Sequence, residues 1–551
     1  MARVTTLQGN GVVPGVGSGP VVRPMPRPEV PADEPSVDPT EGAERFSAAA
    51  EVVADRLATR AKGASGAASE VLMATSMLAR DRGLVALVTK RLGDGEGLCA
   101  ATAGAIEELS AMFSAAGGLM AERVTDLQDV RDRVIAELTG QSEPGIPTPQ
   151  EPSVLCADDL APADTAGLDP ATVVAIATSL GGATSHTTII ARQLGIPCVV
   201  GCEGLDDVPI GTLVFVDGKT GEVVLDPDPQ MAAERLEAAT KAGEAAKAWR
   251  SPGRTADDHA VDVLANVQDG AGARKAAETQ VQGVGLFRTE LCFLDRDVEP
   301  TVAEQADIYR EVLDAMGDRK VVIRTLDAGS DKPVSFATIK DEPNPALGVR
   351  GMRLGWRDEG LMDRQLDAIQ QAADGAAGEV WVMAPMVATA DEAKWFGDKV
   401  RARGLKPGVM IEIPSAAILA ERILEHVDFL SIGTNDLSQY AFAADRMSPS
   451  LSRLTDPWQP ALLSLIQHVA QAGQAAGKPV GVCGEAAADP QLACVLVGLG
   501  VTSLSAAATA APLVGATLLA NTLQQCQDAA QAALDAADPT VGRAAVAEVL
   551  A

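Results

Sequence analysis

Gly283-Val284-Gly285-Leu286-Phe287-Arg288-Thr289-Glu290 reads as a short apolar strand over 284–288 that stops on a charged residue. Similar strand candidates recur from about residue 256 onward, at 263–266, 321–326, 380–386, 408–413, 429–433, 480–483 and 501–504, with helix-like segments between them. Strands that alternate with helices argue for a parallel sheet. Eight such units over this length predict a closed, TIM-like (β/α)8 barrel, in which chemistry gathers where the strands end at their C-terminal side.

Those ends, taken in chain order, carry a coherent set of side chains. The second strand ends in Arg288, with Thr289 and Glu290 behind it; the third carries Arg324 and then Asp327. Asn344 and Arg350 lie in the long loop that follows, and the fourth strand ends at Pro385-Met386. The fifth ends in Glu412, the sixth in Asn435-Asp436 with Arg446 in its loop, and the seventh in Cys483-Gly484-Glu485. A single arginine of this kind reads as a surface ion pair. Four at one mouth call for anions, because planar guanidinium forks match carboxylates and phosphates. Glu412 and Asp436 offer hard oxygens in small number, the donor set that suits Mg2+ shared with a phosphate. The implied ligand is small, multiply anionic, phosphorylated and metal-bound. Cys483 has two readings, buried packing or proton donor or nucleophile. A thiol of ordinary pKa is protonated at neutral pH, so donation is chemically available.

Outside the barrel, Gly181-Gly182-Ala183-Thr184-Ser185-His186-Thr187-Thr188 places one of only four histidines after a glycine pair and before an amphipathic helix. Helix N-termini favour negative charge, so His186 is placed to carry a phosphoryl group. The bland alternative is a loop histidine bonded to backbone.

The rest of the chain divides by composition. Residues 1–25 and 145–227 read as one α/β domain around His186, with short strands. Residues 41–140, rich in Ala, Leu, Glu and Arg, read as an all-helical insertion. Residues 228–255 form a polar, Ala-rich linker helix and its flank, and 256–551 the barrel, with a solvated helix expected from about Gln524. Within the helical block, Met73, Met77 and Leu78 read as ordinary core, with a Met-rich partner face as the alternative. Cys198 and Cys202 are spaced loosely like metal ligands but lack a second pair, and read as part of a buried strand and the turn after it. Eight scattered cysteines fit free thiols in a reducing cytoplasm. No run of 18 apolar residues and no basic-then-apolar leader occur, so neither a membrane span nor secretion is expected. A net charge of −30, from 45 basic and 75 acidic residues, argues against nucleic acid or anionic lipid and towards a basic protein partner.

Together these stretches resemble Enzyme I of the phosphoenolpyruvate-dependent sugar phosphotransferase system. The histidine loop at 181–190, the 283–290 strand, Ile432-Gly433-Thr434-Asn435-Asp436-Leu437 and Cys483-Gly484-Glu485 carry the resemblance. It implies that phosphoenolpyruvate phosphorylates His186, which passes the group to a histidine of the carrier protein HPr. It further implies that Arg288, Arg324, Asn435, Asp436, Arg446 and, in support, Arg350 bind phosphoenolpyruvate. Glu412 and Asp436 would hold Mg2+, Cys483 would protonate the enolpyruvate methylene, and Thr165 would orient the histidine. The helical block would dock HPr, and the barrel would form a homodimer. With no sensory segment read ahead of residue 1, sugar uptake is favoured over regulation. Two other readings remain: an enzyme like phosphoenolpyruvate synthase or pyruvate, phosphate dikinase, and a non-catalytic phosphorelay scaffold. The first lacks room for a nucleotide domain and a phosphate loop; the second predicts loss of the histidine, a metal carboxylate or the proton donor.

Overall fold

The computed structural model describes residues 5–25, 27–63, 67–116, 123–143, 145–146, 149–160, 168–182, 185–294, 296–328, 334–339, 342–446, 448 and 451–551. These form two compact units, residues 1–240 and 241–551.

In the first unit, eight strands among the described residues make one mixed sheet. They are β1 (Thr5–Gln8), β2 (Asn10–Val13), β3 (Val16–Val22), β4 (Ser153–Ala157), β5 (Val173–Thr178), β6 (Cys198–Val200), β7 (Leu213–Asp217) and β8 (Glu222–Leu225). Their order is β1-β8-β7-β3-β4-β5-β6-β2. The central strands β3 to β6 run parallel; β4 and β6 are wholly buried and β5 nearly so, as near-continuous apolar runs require, while β3 is buried at alternate residues. Cys198 lies in β6 and Cys202 in the turn after it, both buried and free. β3 and β4 are ladder neighbours, Val21 opposite Val154, yet the whole helical block lies between them in the chain.

That block comprises helices Pro39–Gly63, Ala67–Ala79, Arg82–Gly93, Leu98–Ala116 and Val124–Thr139. Phe46, Val53, Leu57, Leu84, Val88, Ile106 and Val130 fill its core. Here one sequence expectation fails. Met73 and Met77 are 42% and 69% exposed, and only Leu78 packs against the core. The buried stripe of that helix is instead Leu72, Thr75, Ser76 and Ala79, spaced i, i+3, i+4, i+7. Ser76 Oγ satisfies itself by donating to the Ala54 carbonyl at 2.8 Å, which lets a hydroxyl replace an apolar group inside.

Helix Pro229–Ala248 follows β8. Its Arg235 pairs with Asp217 and stacks over Phe215 at 4.6 Å. Beyond its end, Trp249 packs in the core of the second unit against Gly515, where any Cβ would sit 2.3 Å from the indole.

The second unit is a closed parallel barrel of β9 (Asp262–Val267), β10 (Gly283–Arg288), β11 (Lys320–Arg324), β12 (Val380–Ala384), β13 (Lys406–Ile411), β14 (Phe429–Gly433), β15 (Val480–Cys483) and β16 (Ser503–Ala507), in chain order around the ring. Alternate residues face in and out. Ile432, Val482 and Leu504 join the outer core under the helices, while Leu286, Val322, Met383, Met410, Phe429 and Cys483 cluster inside the ring. β16 starts later than the sequence indicates, because Val501 precedes the ladder and the strand itself is carried by Ser503 and Ser505.

The Ala-rich tail departs from its expected solvated helix. It forms two helices, Leu523–Asp535 and Pro539–Val549, and buries Cys526, Ala529, Ala530 and Ala533 along one face. Small side chains allow close approach: a Cβ on Gly498 would lie 2.0 Å from the Cys526 carbonyl oxygen. No helix of the described residues is long and apolar enough to cross a membrane.

Candidate active site

The C-terminal ends of the barrel strands bring the sequence-selected residues to one mouth. Arg288 and Arg324 end adjacent strands in direct register. Arg324 is 6% exposed and donates from Nη2 to Glu290 Oε1 at 2.6 Å, with Asp327 at 3.4 Å and Glu412 at 3.8 Å. Arg350, from the loop after β11, clasps both oxygens of Asp327, at 3.2 Å from Nε and 2.8 Å from Nη2. Its Nη1 lies 3.5 Å from Asp436 and from the Tyr440 hydroxyl. Arg446 approaches the other oxygen of Asp436 at 3.7 Å. Asn435 is the second residue of the helix after β14, and a Cβ on Gly484 (φ +110°) would lie 3.3 Å from its Oδ1.

Buried charges on this scale demand partners. Four arginines meet four carboxylates, yet Arg324 Nε is buried without a hydrogen-bond partner among the described residues. Neighbouring carboxylates push both Arg324 and Arg350 above the ordinary arginine range, against the pull of desolvation. Glu412, 1% exposed, behaves oppositely. Burial first, then Asp327 and Asp436, push its carboxyl up to about 8. Its Oε2 accepts the Met386 backbone N–H at 2.8 Å. Met386 holds a left-handed φ of 61°, and Gly351 (φ 58°) packs against it; a Cβ on Gly351 would stand 2.9 Å from the Met386 Cβ and 3.2 Å from Asp327 Oδ1.

One oxygen from each of Asp327, Glu412 and Asp436 lies within 4.8 Å of the others, all three residues buried. Such an all-carboxylate set fits a hard divalent cation. Asp327 and Glu290 join the site beyond the residues that the sequence singles out for a role; the signal for them is spacing, since Asp327 follows Arg324 by three residues and Glu290 follows Arg288 by two.

Cys483 closes β15 inside the same end of the barrel and is 2% exposed. Burial raises its pKa, against the Ser431 hydrogen bond and the charges of Arg324 and Arg288. The thiol is thereby kept protonated.

In the first unit, His186 opens helix His186–Leu194. Ser185 caps it, its Oγ accepting the Thr188 N–H at 3.3 Å. Thr188 Oγ1 donates to the Gly182 carbonyl at 2.8 Å and Thr187 Oγ1 to Asp159 at 3.0 Å, which fixes the turn. Gly181 takes φ +93°. Gly195 (φ 69°) ends the helix after nine residues. Thr165 lies outside the described residues.

Three family models cover the chain: PEP-utilising enzyme, N-terminal, over residues 8–123; PEP-utilising enzyme, mobile domain, over 149–221; and PEP-utilising enzyme, PEP-binding domain, over 242–522. The phosphoenolpyruvate-protein phosphotransferase of Streptomyces coelicolor is 47% identical over 99% of both chains. That of Haloferax volcanii is 40% identical over 80% of each. A multiphosphoryl transfer protein of Rhodobacter capsulatus is 42% identical over 76% of this chain and 52% of its own length.

Proposed function

Since the chain belongs to the phosphoenolpyruvate-protein phosphotransferases, enzymes of phosphoenolpyruvate-dependent phosphoryl transfer, we propose that the barrel mouth holds phosphoenolpyruvate and that His186 takes up its phosphoryl group. His186 then passes it to a histidine of the phosphocarrier HPr, the first step of sugar uptake. The observation that carries this reading is the buried mouth itself, where four arginines, three clustered carboxylates and a protonated thiol share one end of the barrel.

Phosphoenolpyruvate brings roughly three negative charges at neutral pH, counting a phosphate of second pKa near 6 and a carboxylate. Arg288, Arg324, Arg446 and Asn435 bind it, with Arg350 in support through Asp327 and Asp436. With Glu412 holding its proton, three charged carboxylates leave the four arginines about one positive charge in excess, fewer than phosphoenolpyruvate brings in negative charge, so the added anion calls for a cation. Glu412 and Asp436, joined by Asp327, would hold Mg2+, which supplies charge to offset the phosphoryl oxygens. Arginines aimed at those oxygens lower the barrier because transition-state charge develops there. The neutral imidazole of His186 attacks phosphorus, and the P–O bond to the enol breaks. Cys483 gives its proton to the enolpyruvate methylene, which drives the step by yielding pyruvate. Thr165 orients the histidine.

Exposed Met73 and Met77, four apart on one helix, lie beside Arg80 and the exposed acids Glu51 and Asp55 that hold it. An apolar patch flanked by net negative charge suits a carrier with an apolar face and basic rim. The barrel pairs two copies: Leu291, Val298, Leu347, Trp356, Ile418 and Leu454 are exposed in segments that follow its strands. The protein works in the cytoplasm, where its buried thiols stay reduced.

Labelled phosphoenolpyruvate with Mg2+ and no nucleotide should leave acid-labile, base-stable phosphate on His186. An absence of label, or a requirement for ATP, would reject the reading in favour of a synthase-like or dikinase-like enzyme or a scaffold.

A further inference from the structure

Each turnover removes the proton of Cys483, and something must restore it while pyruvate and the charged groups still crowd the mouth. We propose that Ser431 restores it, relaying protons from water in a cavity that opens at the opposite end of the barrel. This rests on the assignment of Cys483 as the proton donor.

Ser431 sits on β14, buried, and its Oγ donates to Cys483 Sγ at 3.4 Å. The thiol itself donates to the Ile432 carbonyl at 3.5 Å. A cavity of about 220 Å3 reaches Ser431 from the N-terminal ends of the strands. Barrel interiors of this class are ordinarily packed with bulky branched side chains in layers. Here the small residues Gly285, Gly481, Ser503 and Ser505 share the wall with Val322, Trp381 and Phe429 and leave a hollow between them. The glycines are required: a Cβ at Gly481 would come within 2.4 Å of Ser503 Oγ, and one at Gly285 within 2.5 Å of Ser505 Oγ. The rest of the interior cluster, Leu286, Met383 and Met410, does not line the cavity.

A cavity holds a water once it offers roughly 10–15 Å3 and two or more polar partners. This one is many times larger and lined by hydroxyls. At its rim the Asp262–Lys320 pair, 2.9 Å apart, leaves the Asp262 side chain 42% exposed, so the space communicates with solvent. The proton balance is simple. The Cys483 S–H bond breaks as the methylene C–H bond forms. The Ser431 O–H proton then moves to the thiolate, and a cavity water returns a proton to the Ser431 oxygen in the same event. The hydroxide left behind is neutralised by solvent at the rim. The thiol is thus recharged from the side that substrate does not occupy.

Rapid-quench measurement of pyruvate, with the full-length protein, phosphoenolpyruvate, Mg2+ and excess carrier, tests the relay. Ser431→Ala should release the first equivalent of pyruvate at the wild-type rate, since the resident proton is in place. Later turnovers should slow at least tenfold with KM for phosphoenolpyruvate unchanged. Ser431→Thr, which keeps the hydroxyl, should remove most of that defect. Ser503→Leu, which plugs the cavity without touching the thiol, should reproduce the burst and serves if Ser431→Ala does not fold. A first turnover slowed as much as later ones would mean that Ser431 only seats the thiol, and would overturn the proposal, as would an unaltered steady state in both variants. Cys483→Ala separates the two levels of inference. If it makes pyruvate normally, the assignment of Cys483 fails; if it is inactive while Ser431→Ala and Ser503→Leu are normal, only the relay fails.

Discussion

In the proposed transfer, the barrel mouth and the N-terminal unit meet the same phosphoryl group in opposite physical settings. In the mouth, Arg324, Arg350, Glu412 and Asp436 are each less than a tenth exposed, and each guanidinium is locked to carboxylates. In the N-terminal unit, large apolar side chains stand exposed instead: Leu180 at 60%, Ile189 at 45%, Met77 at 69%. A small, highly charged molecule is bound best by groups already desolvated and fixed, because they need no reorganisation when charge develops. A protein is met best by exposed apolar surface that loses water on contact. The contrast teaches that donor and acceptor are told apart by where each half of the molecule spends its hydrophobic burial.

Four perturbations probe that contrast. The largest is His186→Ala, which should reduce carrier phosphorylation to background while phosphoenolpyruvate affinity, measured by calorimetry, stays within about twofold; matched loss of binding would put both functions in one site. Next, Arg324→Met strips Glu290, Asp327 and Glu412 of their shared cation. Removing one member of a buried ion pair costs about 3–5 kcal/mol, so chemical denaturation should show a barrel destabilised by that order together with loss of substrate binding. A fully stable, inactive variant would show that the mouth tolerates unpaired acids.

The third concerns pH. With its carboxyl raised to about 8 from the ordinary 4.5, Glu412 keeps a proton in the folded, metal-free protein that the unfolded chain has already lost. Its contribution to stability therefore falls as pH rises from about 4.5 to about 8 and is flat above. A divalent ion must displace that proton, so Mg2+ should bind more tightly at pH 8 than at pH 6, by up to roughly 100-fold for a single proton over two pH units. Glu412→Gln should weaken Mg2+ binding and abolish this pH dependence. The smallest effect belongs to the surface: Met77→Asp should raise the carrier KM about tenfold and leave label transfer to His186 intact, whereas an unchanged carrier KM would move the docking face elsewhere.

Much of the barrel is legible in the sequence because its strands are short runs rich in apolar residues, three of which end on Arg288, Arg324 and Cys483. The mouth follows from that, since strand ends converge by geometry whatever the helices do. Asp327 escapes notice as a ligand because it lies beyond the end of β11, in irregular backbone, and only the fold brings its carboxylate beside Glu412 and Asp436. The helical block misleads for another reason. Met73 and Met77 share a helical face as convincing as the true buried one, and only the neighbouring helix decides that Thr75 and Ser76 go inside. The tail is hard to read because alanine is equally at home in water and in a tight interface, so its burial is settled by Gly498 on the facing helix. The serine-walled hollow is likewise invisible in a sequence, because an empty space is made by residues that are missing bulk.

The pairing of β3 with β4 spans residues 23–152, so the central sheet can zip only after its two edges find each other around a fully interposed helical body. Helices of that body contact near neighbours in sequence and form quickly, whereas the ladder must wait for a long closure. The nascent chain is thereby given an order of events. The helical block matures first, its own ends brought one ladder spacing apart, and acts as the clamp on which the sheet around it is then assembled.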